Sequence, residues 1–166
     1  MTEEFYGYLD IKNSFSRIDE TIKSIDEFYP HDAGGILLQN FFTDYLIVLI
    51  LRTVEGSTKN IILTNLKLRN PQINLEKVEN RLFKFNNPTL ENIQNLFFDF
   101  LQIEIDNNNF LEEELRDMSI INKYRQNIAH SNCFLDYENY NRSYPQIKKQ
   151  YENIKKYILK LCELYH

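Results

Sequence analysis

Long apolar runs are missing from this chain. The longest, Tyr45 to Leu51, is closed by Asp44 and Arg52, far short of the roughly 20 residues that a bilayer-spanning helix needs. Cysteine is scarce: Cys133 and Cys162 lie too far apart for a C-x-x-C redox motif and are too few for a zinc site, so they read as unpaired thiols in a reducing compartment. His31, His130 and His166 are scattered, without His-x-x-x-His spacing or paired carboxylates, so no metal site is expected. No glycine-rich phosphate loop is present, which argues against P-loop nucleotide hydrolysis, and no cofactor is expected. Positive charge is short too. A formal net charge of −5 argues against a chain that coats nucleic acid nonspecifically, and leaves room for a local basic cleft. The start, Met1-Thr2-Glu3-Glu4, lacks the basic residues and apolar core of a secretory signal. The expectation is a cytoplasmic protein with no membrane segment.

What is present suits a globular protein. With 166 residues, 43% of them hydrophobic and 26% charged, the chain is expected to form one domain over 1–166, large enough to bury a core without staples. Its prolines, Pro30, Pro71, Pro88 and Pro145, all fall where a helix can begin or has ended. Phe15, Ile18, Ile22, Ile25 and Phe28 or Tyr29 recur three and four apart, predicting an amphipathic helix over Ile11 to Tyr29. After Gly34-Gly35 an apolar stretch from Ile36 to about Leu66 predicts a central helix, preferred over a strand because it outruns strand length and no partner strand is evident. Gly56-Ser57 within it suggests close helix packing. Asn74 caps a short helix from Leu75 to Phe85, and another runs from Pro88 to about Ile105. Asn107-Asn108-Asn109 makes a turn. Glu112, Glu113 and Glu114 oppose the positive end of the next helix dipole, whose apolar positions are Leu111, Leu115, Met118, Ile121 and Ile128. Ser143-Tyr144-Pro145-Gln146 reads as a capping box. It opens a last helix with a near-heptad seam of Ile147, Tyr151, Ile154, Ile158, Leu161 and Tyr165, flanked by a lysine face. The fold class is all-α, an up-and-down bundle of four to six helices.

One hexapeptide carries chemistry: Arg125-Gln126-Asn127-Ile128-Ala129-His130. Arginine keeps its charge and forks onto phosphate, and histidine titrates nearest neutral pH, so the pair can bind and cleave a phosphodiester. Five residues along a helix is about 140° of rotation. The two side chains converge only if the helix ends or distorts between them, or if a second copy of the chain supplies the missing half.

The chain resembles the HEPN superfamily, specifically its ribonuclease branch, and most closely the RiboL-PSP-like or related bacterial HEPN domains. That branch carries Arg, a polar residue, then a variable stretch ending in His at the end of the penultimate core helix, here Arg125, Gln126, Asn127-Ile128-Ala129 and His130. The family often has Asn where this chain has Gln126. The resemblance implies a metal-independent endoribonuclease that acts as a homodimer on an RNA substrate. His130 would be the general acid or base in attack of the ribose 2′-hydroxyl on phosphorus, leaving a 2′,3′-cyclic phosphate and a 5′-hydroxyl. Arg125 would clamp the phosphate, and Gln126 and Asn127 would support them. Glu55, in the second long helix, is the candidate for the polar residue that many members pair with the motif; an ion pair with Arg52 is the plainer reading. By analogy the role would be that of a toxin or an anti-phage effector, neutralised or triggered by a separate antitoxin or regulatory protein. The competing expectation is a non-catalytic HEPN module for dimerisation or partner binding.

Overall fold

The computed structural model describes residues 3–28, 36–130 and 143–165. They form six α-helices: α1 Glu3–Phe28, α2 Ile36–Arg69, α3 Leu75–Leu82, α4 Leu90–Leu101, α5 Glu112–His130 and α6 Tyr144–Leu164. A 3-10 turn at Asn107–Asn109 precedes α5, and no strand occurs among the described residues. The stretch Tyr45 to Leu51 is therefore helical. Among the described residues no helix is long and apolar enough to cross a membrane. The expected break at Gly34-Gly35, together with Pro30, His31, Cys133 and His166, lies outside the described residues.

Helix ends follow local chemistry. The side chains of Asn74, Thr89 and Ser143 accept hydrogen bonds from Lys77 N, Asn92 N and Gln146 N, each satisfying one of the N–H groups that a helix start leaves unpaired. Glu114 is buried, and its Oε2 accepts from Leu111 N at 3.0 Å. It therefore caps α5 and does more than offset a dipole, and Leu111, expected inside, stands outside the helix and exposed. Boundaries differ from expectation in three helices. α1 begins at Glu3, two turns before Ile11. α3 ends at Leu82, where the chain tightens into turns closed by Lys84 N to Arg81 O and Phe85 N to Leu82 O. α4 starts at Leu90, with Thr89 and not Pro88 at its head, and stops at Leu101 because Gln102 turns left-handed at φ 55°.

The core is the shared interior of α1, α2, α5 and α6. Ile11, Phe15 and Ile18 from α1, Leu46, Ile50 and Ile62 from α2, Met118 and Ile121 from α5, and the α6 seam from Ile147 to Leu161 are buried. Paired contacts fix directions. Tyr8 meets Glu163 while Lys148 meets Asp26, so α1 and α6 are antiparallel. Phe110 stacks near Tyr157 while Asp117 accepts from Asn153, so α5 also runs against α6. Asn65 bonds the carbonyl of Tyr165, which sets the C-terminal ends of α2 and α6 together. The N-terminal half of α2 and the C-terminal end of α5 therefore share one end of the bundle.

The lysine face of α6 is partly spoken for: Lys148 and Lys155 pair with Asp26 and Asp19 of α1, each at 2.6 Å. Cys162 is fully buried, and burial pushes its thiol up to about 11, which rules it out as a nucleophile near neutral pH. Gly56 does not mark close packing. It is exposed, has no positive φ, and a Cβ added there would meet nothing within 4 Å. Gly56→Ala is accordingly expected to stabilise the fold by about 0.5–1 kcal/mol, read as a higher denaturant midpoint at unchanged m value.

Candidate functional site

Arg125 lies on α5 against the 83–89 connection that joins α3 to α4. A connection without regular pairing leaves its carbonyls in need of donors, and here three consecutive ones take them from side chains. Asn86 O accepts from Arg125 Nη1 at 2.5 Å, Asn87 O from Asn92 Nδ2 at 2.8 Å, and Pro88 O from Asn122 Nδ2 at 3.0 Å. Asn122, buried one turn before Arg125, also donates to Met118 O. The connection is thus strapped to α5 at two points and to α4 at one.

This seating leaves Arg125 half-buried yet available. One of its five N–H donors goes to a neutral carbonyl, and among the described residues no carboxylate pairs with it. A phosphate could take the remaining donors without first displacing an ion-pair partner. Gln126, the next residue, is exposed.

The described part of α5 is helical without interruption from Glu112 to His130. A break between Arg125 and His130 is therefore not how the two could converge; within one chain their positions stay about 140° apart and about 7.5 Å apart along the axis. The side chains of Asn127 and His130 lie outside the described residues.

Glu55 is on α2, and its Oε1 pairs with Lys59 Nζ at 2.6 Å, one turn along. The ion pair read from the sequence with Arg52 is not the one formed. Lys59 in turn lies 5.9 Å from the centre of the Phe85 ring, so Glu55 reaches the connection that holds Arg125 only through Lys59. Asn122 and Asn92 escaped the reading of the sequence altogether. Asn122 did leave a signal: it follows Leu115, Met118 and Ile121 on the inward side of α5, and a buried amide there requires partners.

Among the described residues no group of three His, Cys, Asp or Glu side chains is arranged to hold a metal ion. Comparison of the chain with protein-family models, with curated proteins and with solved structures gives no match.

Proposed function

We propose that this protein is a metal-independent endoribonuclease of the HEPN type, with Arg125 and His130 as its catalytic residues. The observation that carries the reading is a guanidinium seated by a neutral carbonyl on the penultimate helix, five residues before a histidine and without an acidic partner among the described residues. Arg125 would hold the scissile phosphate, and His130 would move the proton of the 2′-hydroxyl or of the leaving 5′-oxygen. Gln126 and Asn127 would orient substrate. Glu55, committed to Lys59, would set local charge and not touch the substrate.

A continuous α5 leaves a second copy as the means of completing the pair. The surface we assign to it is the outer face of α2, where Leu38, Phe41, Tyr45 and Val48 recur three and four apart and are all exposed, the spacing of a helix-to-helix seam. That seam is in the N-terminal half of α2, and the helix directions put that half toward the end of the bundle where α5 finishes. Toxin or defence duty, with a separate antitoxin or activator, follows from the family resemblance alone.

The test is purified protein with mixed cellular RNA in excess chelator, with product ends mapped and oligomeric state measured by sedimentation. Cleavage leaving 2′,3′-cyclic phosphate ends, and loss of both dimer and cleavage in Phe41→Asp, is the expected result. Intact RNA, or cleavage that stops on chelation, overturns the enzymatic reading and leaves the non-catalytic dimerisation or partner-binding module.

A further inference from the structure

Phe83 is 84% exposed, the most exposed large apolar side chain among the described residues. It is not loosely held. Its N–H donates to Glu79 O at 2.7 Å and its backbone is helical, while Leu82 and Phe85 on either side are buried. The turn sends two residues inward and presents Phe83 and Lys84 to solvent as a fixed pair.

Their position ties them to the candidate site. Asn86, whose carbonyl holds Arg125, is three residues from Phe83, so the two backbones are within about 11 Å of one another, the rise of roughly three stacked bases. Between Glu79 and Glu91 the local sequence carries only positive charge. Residues 80–90 contain Arg81 and Lys84 and residues 118–130 contain Lys123 and Arg125, and neither segment has an Asp or Glu, in a protein of net charge −5. Lys59, also near Phe85, is neutralised by Glu55.

We infer that Phe83 is a stacking platform for a base of single-stranded RNA, with Lys84 and Arg125 taking the flanking phosphates. An aromatic face beside cations is how single strands are held without sequence preference, and the bases of a duplex are not free to stack on it. The choice of RNA rests on the ribonuclease reading; the assignment of Phe83 rests on its exposure, on the hydrogen bond that holds its turn and on its place three residues from Asn86, the residue that seats Arg125. Phe83 is a binding residue and takes no part in the chemistry.

The chain has no tryptophan, so Phe83→Trp creates a single reporter. It would be titrated with a 2′-O-methyl oligoribonucleotide of about eight residues, within the usual single-strand site sizes and without a free 2′-hydroxyl to react. Saturable quenching of the indole is expected, with none for a tryptophan placed at Leu111, an exposed position preceding the opposite end of α5. By anisotropy of a labelled strand, Phe83→Ala should bind about 5- to 100-fold more weakly and Phe83→Tyr within about twofold of wild type. No strand binding by wild type, binding without quenching at position 83, or equal affinity for Phe83→Ala overturns the assignment. So does an emission change driven by protein concentration alone, which would make Phe83 a contact between copies. Quenching without RNA cleavage would sink the ribonuclease reading and leave the platform standing; cleavage without quenching does the reverse.

Discussion

Alanine at Arg125 or at His130 is expected to lower RNA cleavage by about 10²- to 10⁴-fold. For Arg125 two losses must be separated, because the side chain also donates to Asn86 O. That bond is partly open to water, so its loss should cost about 1 kcal/mol, too little to unfold the protein. Arg125→Lys keeps the charge and loses the fork; it should retain the fold and recover little of the rate. Mixing the two alanine variants tests the composite site directly. If Arg125 of one copy works with His130 of another, half of the randomly re-formed dimers regain one of two sites, and activity should return to about one quarter of wild type for a two-fold assembly. A mixture as inactive as its components would mean that no site is shared, and would remove the role given to the second copy.

Tyr151→Ala is expected to destabilise the fold by about 3–5 kcal/mol, the largest effect of any single truncation considered. The residue is fully buried. Its ring packs 6.2 Å from Phe15, and its hydroxyl donates to Asp19 Oδ1 at 2.6 Å beside the carbonyl of Phe15. Tyr151→Phe should cost much less, about 1–2 kcal/mol, because Asp19 is half open to solvent and keeps Lys155 as a partner. The difference between the two variants in denaturant unfolding measures packing against hydrogen bonding. A loss below about 1 kcal/mol for the alanine variant would show that the α1–α6 contact does not belong to the cooperative core. Burial first, then the bond to Asp19, raises the Tyr151 hydroxyl above its ordinary value of 10.0. A proton held more tightly in the folded chain means stability that is full below about pH 10 and is lost as pH rises further. Tyr151→Phe should remove part of that alkaline decline.

Some features of this architecture were written locally. Asn74 and Ser143 could be recognised as caps because the oxygen that matters is two or three residues from the N–H it satisfies. The α6 seam could be read from its spacing because the same positions face inward whatever covers them. Partners distant in the chain were not legible. Lys148 and Lys155 look like a solvated face until Asp26 and Asp19, more than a hundred residues earlier, are brought against them. Glu114 is a local exception: its partner, Leu111 N, is three residues away, but an apolar residue at the cap position does not signal the bond. The motif itself was visible; its seat was not, since nothing in the order of residues says that the carbonyls of Asn86, Asn87 and Pro88 will be taken by α4 and α5.

The polar rungs between the first and last helices join residues 122 to 155 positions apart. On the ribosome that spacing becomes a delay. At about 5–20 residues per second, α6 emerges on the order of ten seconds after α1. Throughout that interval Ile11, Phe15 and Ile18 have only α2 to cover them. Closing so long a loop also comes at an entropic cost before any contact rewards it. The nascent chain is therefore most vulnerable to chaperone capture and proteolysis at its amino-terminal helix pair, and a stalled or truncated transcript would leave that pair without its lid.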